Sequence, residues 1–267
     1  METCQNCNEA IAANFCGNCG QKKYKRIDKK YVWDEIQYTV LHTNKGFLYS
    51  VKNLLKNPGK TAREYVDGNR VNHYKPILLA FVLSGISAFL SFKVIGLKEI
   101  MENYYTQQHL NSPFINDYMT FVSSYNSVLM LLLIPFFAIC TKFAFRSWGH
   151  NYYEHIVINS YILCFYTLFT IFLVYPFLYF LKHDTATFTS LTSISMLFVP
   201  FILTWFFKGF YTDKPLKGII GRVFLTLCFT ALGFMVFMVF IMIGGFVYAL
   251  IKGPEALEYM KPGTTIN

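Results

Sequence analysis

The chain has 267 residues, of which 54% are hydrophobic and only 15% are charged. Soluble domains carry roughly 25% charged residues, so this composition excludes an ordinary water-soluble protein and predicts that lipid covers much of the surface. The formal net charge is +9, and residues 1–75 hold 13 of the 24 Lys and Arg.

Two tight pairs of cysteines open the chain, Cys4 with Cys7 and Cys16 with Cys19. Two Cys-x-x-Cys turns offer four thiolates, the tetrahedral set that structural zinc prefers. The spacer between the pairs is shorter than the roughly 15–20 residues of common four-cysteine fingers. We therefore expect residues 1–21 to form a minimal zinc ribbon whose folding depends on the metal. Redox and iron–sulfur chemistry are the alternatives, but neither a βαβ pattern nor a ferredoxin spacing accompanies the cysteines.

A basic segment follows the cysteines and begins a linker and amphipathic neck predicted over residues 22–75. Its cations are Lys22, Lys23, Lys25, Arg26, Lys29 and Lys30. Three interpretations stay open. The segment could bind anionic lipid head groups, at about 1 kcal/mol per charge near the surface. It could contact RNA or the ribosome through phosphate charge, or act only as a solvated topology signal.

The neck is predicted to contain three short helices. The first begins at Tyr31, where Val32, Trp33, Ile36 and Val40 recur near helical spacing. Apolar residues repeat with helical spacing over 47–55 beside lysines, which is typical of a helix lying in the membrane interface. Packing against the protein's own bundle is an equal alternative. An Asn-Pro-Gly sequence at 57–59 is expected to end this helix. Thr61 and Glu64 are then expected to start the next helix as a capping box.

Five apolar stretches after the neck are long enough to cross a bilayer, which takes about 20 residues. They are predicted at 76–97, 124–141, 157–181, 187–207 and 223–251. Residues 76–251 are thus a five-span transmembrane domain, and 252–267 are a C-terminal tail. The expected fold class is an all-α polytopic membrane protein, with five transmembrane helices preceded by amphipathic interfacial helices and a small N-terminal zinc ribbon.

The orientation follows from the positive charges. No signal peptide is recognisable, so the cysteines are expected in the cytoplasm, where thiols stay reduced. With the N-terminus inside, 19 Lys and Arg lie on the cytoplasmic side and five on the outer side. The positive-inside rule therefore predicts a cytoplasmic N-terminus and an outer C-terminus.

One other cluster of residue types that can bind metals lies just before the third stretch: His150, Glu154 and His155. Its H-x-x-x-E-H order differs from the orders of zinc proteases. Residues five apart lie about 140° apart around a helix, so we expect the two histidines on different faces and His150 beside Glu154. A polar cytoplasmic end of the third span is the favoured interpretation, and a membrane enzyme using these residues is the weaker one. The cores of the spans contain no ionisable residue of the kind that ion-coupled transporters use. Lys93 lies near the outer end of the first span, where its long side chain can reach the interface.

Several short motifs in the first 80 residues resemble a known family. They are Phe15–Gln21, Gly46-Phe47, Leu54, Asn57–Lys60, Arg63–Tyr65, Gly68–Arg70 and Tyr74–Pro76. The chain resembles bacterial multi-span membrane proteins of unknown function that begin with a short zinc ribbon. Its body plan is also similar to Yip-type membrane proteins, which have a cytoplasmic N-terminus before five spans. The resemblance implies a bacterial inner-membrane location and supplies no catalytic residue.

The expected function is non-enzymatic. Four cysteine ligands leave zinc no open position for a substrate, so we expect an integral membrane adaptor or scaffold. Its zinc ribbon and basic neck would bind a protein partner in membrane trafficking, envelope assembly or protein biogenesis. Anionic lipids, and more weakly RNA or the ribosome, are further expected contacts. The alternative is a transporter or channel for small or lipid-like molecules.

Overall fold

The computed structural model describes residues 2–4, 7–20, 46–70, 73–253, 259 and 261. The chain divides into two compact units, Met1–Lys45 and Gly46–Asn267. The predicted basic segment, with Lys22, Lys23, Lys25, Arg26, Lys29 and Lys30, lies outside the described residues, as do the predicted helix that begins at Tyr31 and most of the predicted tail. The lipid, RNA and topology interpretations of that segment therefore stay predictions.

The first unit contains one very small sheet. Strand β1 (Glu2–Thr3) pairs antiparallel with strand β2 (Ala10–Ile11). An isolated two-stranded hairpin is marginally stable at best. Three buried residues form its core, with Cys7 packed against them: Cys4, Ile11 and Cys16. Since the core is mostly thiols, the stability of this unit depends on what the thiols bind.

The second unit is built from helices. Two short ones, α1 (Gly46–Lys56) and α2 (Pro58–Val66), precede five longer helices. These five are long and apolar enough to cross a membrane, and we name them spans 1 to 5: Pro76–Ile95, Pro113–Ala144, Tyr152–Leu181, Thr185–Phe210 and Leu216–Lys252. A further helix, Leu97–Gln107, lies between spans 1 and 2. The all-helical architecture and the number of candidate spans agree with the sequence prediction.

The helices extend beyond the apolar stretches that predicted them. Span 2 begins at Pro113 rather than at residue 124, because Ser112 caps it: the Ser112 hydroxyl accepts from Ile115 N at 3.3 Å. Span 5 begins at Leu216 rather than at residue 223. Capping residues set where a helix starts, whereas hydrophobicity marks only the part that lies in hydrocarbon.

Two spans are interrupted near a proline. Span 3 contains a π-helical turn, Thr170–Val174, directly before Pro176. Span 4 consists of two helices, Thr185–Met196 and Val199–Phe210, with Pro200 in the first turn of the second. Proline has no N–H and clashes with the carbonyl four residues earlier. A widened turn or a helix break before it relieves that clash.

The main core lies where α1 and α2 pack against the spans. The Phe145 ring stacks on Phe207 with centroids 4.2 Å apart and lies nearly parallel to the Tyr211 ring at 5.5 Å. Leu54 of α1 and Ala62 of α2 are fully buried in the same core. Both short helices therefore pack on the bundle, and the interfacial position of their exposed side stays a prediction.

Glycines form the closest contact between α2 and span 4. A Cβ added to Gly59 would overlap the Phe206 carbonyl oxygen and lie 2.6 Å from Phe210 N. A Cβ added to Gly209 would overlap the Asn57 carboxamide oxygen. Only a residue without Cβ lets two helix backbones approach this closely. The Gly59–Gly209 contact therefore fixes α2 against span 4.

The start of α2 differs from the prediction. The helix begins at Pro58, and Asn57 is its N-cap, with the carboxamide oxygen accepting from Lys60 N at 3.0 Å. Proline suits the first turn because its missing N–H would be unpaired there anyway. Thr61 lies inside the helix and donates to Asn57 O at 2.9 Å. The predicted capping box of Thr61 and Glu64 is wrong, because the Asn-Pro-Gly sequence is itself the start signal.

Replacing Gly59 by alanine tests the contact with span 4. Gly59→Ala is expected to destabilise the bundle by about 1–3 kcal/mol, the usual cost of overpacking, because the added carbon meets backbone atoms. Gly221→Ala in span 5 is the matched control, since no heavy atom lies within 4 Å of its added carbon. Thermal unfolding in detergent should show a lower melting temperature for Gly59→Ala only. Equal melting temperatures would contradict a tight contact.

Candidate functional site

The four N-terminal cysteines converge on one point. The sulfurs of Cys4 and Cys19 are 3.5 Å apart, as are those of Cys7 and Cys16, and all four lie within 4.8 Å of one another. A disulfide bond is about 2.05 Å long, so these are thiols. Tetrahedral zinc with Zn–S bonds near 2.3 Å separates its sulfurs by about 3.8 Å. The sulfur positions therefore suit a metal ion held by four thiolates.

The two Cys-x-x-Cys pairs adopt the same kind of turn. Asn8 N donates to Cys4 O at 2.9 Å, and Gly20 N donates to Cys16 O at 3.0 Å. The residue after the second cysteine has a positive φ in both turns, +59° at Asn8 and +73° at Gly20. Asparagine and glycine tolerate this conformation best. Two equivalent turns thus each present a pair of thiols, which is how four-cysteine metal sites are assembled.

The cysteine cluster is enclosed on one side. Cys4 and Cys16 are buried, whereas Cys19 lies at the surface. Beside the cluster, the Phe15 side chain is 58% exposed. An ion bound by four thiolates has no open position for a substrate. This arrangement can therefore hold a fold together but offers no coordination site for catalysis.

Removing one ligand tests the metal site. Cys4→Ser is expected to reduce the zinc bound from about one ion per chain to near none, since the site needs four thiolates. Cys228→Ser is the matched control, because Cys228 is an exposed cysteine in span 5 and outside the cluster. Elemental analysis of both purified variants measures the metal. The same zinc content in both would contradict the assignment.

Of the residues His150, Glu154 and His155, the first two have partners outside the cluster. Asn151 N donates to the Glu154 carboxylate at 2.7 Å, and Glu154 N donates to the Asn151 carboxamide at 3.0 Å. These two bonds form a capping box that starts span 3. His150 Nδ1 lies 3.1 Å from the Tyr211 hydroxyl. The Glu154 carboxylate is thus committed to the backbone at the start of span 3.

The two histidine rings nevertheless lie close together. Their centroids are 6.4 Å apart in an edge-to-face arrangement. The expectation that they occupy separate faces is wrong, because span 3 begins at Tyr152 and His150 precedes it. Gly149, with a φ of +94°, turns the chain just before His150. A helical spacing argument does not apply to a residue outside the helix.

Thr141 of span 2 connects this cluster. Its Oγ1 lies 2.8 Å from Asn159 Nδ2 and 3.0 Å from His155 Nδ1, and its own proton is donated to Phe137 O at 3.0 Å. Asn159 Nδ2 donates to this oxygen, so Thr141 links its own span to two polar side chains of span 3. His155 Nε2 is buried and without a partner among the described residues.

His150 and Tyr211 form a neutral pair. Burial lowers the pKa of His150, and the positive charges of Arg63 and Lys142 lower it further, while Glu154 and Asp67 raise it. Burial also raises the pKa of the Tyr211 hydroxyl. At neutral pH the imidazole is therefore uncharged and the tyrosine protonated, so their contact is an ordinary hydrogen bond between neutral groups.

Basic side chains at the end of the bundle where α1 and α2 pack donate hydrogen bonds to backbone carbonyls. Arg222 donates to Ala144 O at 2.6 Å, and its guanidinium lies 4.4 Å from the centre of the Trp148 ring. Lys208 donates to Thr212 O at 3.2 Å. These carbonyls lie at or just beyond the C-terminal ends of spans 2 and 4, where the helix dipole places partial negative charge. The cations therefore stabilise the ends of the spans.

The turn between α2 and span 1 is also locked by buried polar groups. Tyr74 N donates to the Ser50 hydroxyl of α1 at 2.8 Å. The His73 ring packs edge to face with Tyr49 at 5.2 Å, and its Nε2 lies 3.4 Å from the Glu64 carboxylate. Burial lowers the pKa of His73, although the charge of Glu64 opposes this. The turn thus ties α1, α2 and the start of span 1 together.

A family model described as a protein of unknown function (DUF3667) matches residues 44–88. The matched segment contains α1, α2 and the first part of span 1, including Gly59, His73 and Tyr74. It leaves out the four cysteines and the cluster around Thr141. No curated protein and no solved structure shows a significant match to the chain. The chain is therefore similar to an uncharacterised family in this segment, and the wider resemblance to zinc-ribbon membrane proteins stays a prediction.

Thr141 was not identified from the sequence, and its replacement tests the cluster. Thr141→Val is expected to destabilise the bundle by about 1–3 kcal/mol, because it removes the hydroxyl that contacts buried polar atoms of His155 and Asn159. Thr204→Val is the matched control, since the Thr204 hydroxyl only donates to Pro200 O of its own helix. Unfolding in detergent measures both. A Thr141→Val melting temperature equal to that of Thr204→Val would contradict the role of Thr141.

Proposed function

We propose that this protein is a non-enzymatic adaptor of the bacterial inner membrane. Its spans anchor a cytoplasmic zinc ribbon, and the ribbon together with the basic segment docks a protein partner. The observation that carries the proposal is the set of four converging thiols, all within 4.8 Å. Cysteine sulfur fills every coordination position of a tetrahedral ion in this set, so the metal's contribution is structural.

Zinc is the ion that the ligands favour. Four thiolates in a tetrahedral arrangement suit zinc or iron. Zinc does not change its oxidation state, and it provides the folding free energy of small domains that lack a core. The hairpin of β1 and β2 is such a domain, because its buried residues are Cys4, Ile11 and Cys16. Zinc would therefore hold a short segment in one conformation.

A docking role is supported by what the unit presents. The residues Met1–Lys45 form a compact unit of their own. Phe15, beside the ligand Cys16, exposes 58% of its surface. Exposed aromatic side chains on a rigid support are typical of protein interfaces. The charges of the basic segment add electrostatic attraction to an acidic partner or to anionic lipid.

The proposed orientation rests on charge. With the N-terminus taken as cytoplasmic, the predicted spans assign 19 of the 24 Lys and Arg to that side and five to the other. Arg222 and Lys208 lie at the end of the bundle where α1 and α2 pack, and both bind backbone carbonyls there. Cytoplasmic loops carry an excess of Lys and Arg. This end is therefore proposed to face the cytoplasm.

Crosslinking in living cells tests the adaptor function. A photo-crosslinking amino acid at position 15 is expected to give discrete crosslinked species, because Phe15 would contact the partner. The species should persist in Cys228→Ser and disappear in Cys4→Ser, which loses the metal. Crosslinks unchanged by Cys4→Ser, or none at all, would contradict a metal-dependent docking surface. Species removed by ribonuclease would point to RNA and also contradict a protein partner.

A further inference from the structure

A cavity of about 240 Å³ lies between spans 1 to 4, toward the end of the bundle opposite α1 and α2. Its polar lining consists of hydroxyl and amide groups, including Ser84, Ser87, Asn126, Thr167, Thr192 and Ser195. No charged side chain lines it among the described residues. Two tyrosines, Tyr166 and Tyr175, and apolar leucine, isoleucine, valine, phenylalanine and methionine side chains form the rest of its wall. The cavity thus combines uncharged polar groups with an apolar surface.

Ser84 differs from Thr170 and Thr192, two other hydroxyl residues of the cavity. Thr170 and Thr192 donate to the carbonyl four residues earlier, at 2.9 Å in both cases, which is the usual bond of a hydroxyl within a helix. Ser84 is 2% exposed, and its hydroxyl has no partner among the described residues. A buried hydroxyl without a partner destabilises a protein. A ligand in the cavity would supply the missing hydrogen bond.

The cavity reaches the surface of span 4. Met196 lines the cavity and is also 63% exposed. Its neighbours Ile194 and Leu197 are 52% and 68% exposed. This surface is apolar and belongs to a candidate membrane span. A ligand would therefore enter from the hydrocarbon of the bilayer.

We propose that the cavity binds a lipid whose uncharged head group carries hydroxyls, of the monoacylglycerol class. A charged head group is disfavoured because burying an unpaired charge is costly. A cavity of ~150 Å³ holds benzene, and sites for drug-sized ligands begin near 300 Å³. The observed volume therefore suits a glycerol-sized head group and the start of its chain, while the remaining chain passes Met196 into the bilayer.

The cavity occupies one half of the bundle and does not continue through it. Toward α1 and α2 the space between the spans is filled by fully buried side chains such as Ile158, Tyr161 and Phe206. This packing is typical of a binding site with one opening and differs from a channel. The site is formed by the spans alone, so it goes beyond the proposed adaptor function and can be tested separately.

Three probes test the ligand class on the purified full chain in detergent. Titration with 1-monooleoylglycerol is expected to raise the melting temperature to a plateau, because a ligand that binds only the folded state stabilises it. Oleate has the same chain with a charged head group, and glycerol has the head group without the chain. Neither should raise the melting temperature at equal concentration. An equal rise with oleate or with glycerol, or no rise with monooleoylglycerol, would overturn the proposal.

A matched pair of variants tests the location. Thr192 lines the cavity, whereas Ser193 is the next residue on span 4, exposed and outside the lining. Thr192→Phe fills the cavity and is expected to abolish the response to monooleoylglycerol, and Ser193→Phe is expected to retain it. The same response in both variants would place the lipid elsewhere and overturn the proposal.

A smaller change at Ser84 keeps the test valid if Thr192→Phe fails to fold. Ser84→Ala is expected to weaken the apparent affinity for monooleoylglycerol about five- to tenfold, the effect of one neutral hydrogen bond. It should not lower the melting temperature of the ligand-free protein, because the hydroxyl has no protein partner to lose. Unchanged affinity would overturn the assignment of Ser84 to the ligand.

Discussion

In a bundle surrounded by hydrocarbon, a polar group must find its partner inside the protein, because lipid supplies none. This constraint explains the polar contacts between the spans. Thr141 contacts Asn159 and His155 of span 3 as well as a carbonyl of its own span. Arg222 donates a hydrogen bond to the carbonyl at the end of span 2. Among the described residues, the Ser84 hydroxyl lacks such a partner, as do His155 Nε2 and the Tyr161 hydroxyl, and of these three residues Ser84 lines the cavity.

The constraint divides the bundle into two halves of different character. At the end that carries α1 and α2, aromatic stacking and the Gly59–Gly209 contact leave little free space. The carbonyls of Ala144 and Thr212 accept hydrogen bonds there from Arg222 and Lys208. At the other end, span 1 has a π-helical turn at Leu90–Ile95 and span 3 has one at Thr170–Val174, and residues of both turns line the cavity. The tightly packed half therefore holds α1 and α2 against the spans. The other half has room for a ligand.

The sequence predicts those features that depend on composition or on short spacings. Five apolar stretches predict five candidate spans because length and hydrophobicity alone decide them, and two cysteine pairs predict a cluster of thiols. Features that depend on how helices rotate against one another could not be predicted. Thr141 and Asn159 meet only because spans 2 and 3 pack in one register. The Asn-Pro-Gly sequence was expected only to end α1, which it does, but Asn57 also starts α2, because its side chain caps the next helix.

The contact between Gly59 and Gly209 joins parts of the chain that are made at different times. A ribosome adds about 5–20 residues per second, so α2 exists for on the order of ten seconds before its partner in span 4 has been synthesised. During that interval the side of α2 that later meets span 4 is uncovered. Insertion of span 4 therefore completes the packing of a segment that left the ribosome long before it, and only span 5 is added to the bundle afterwards.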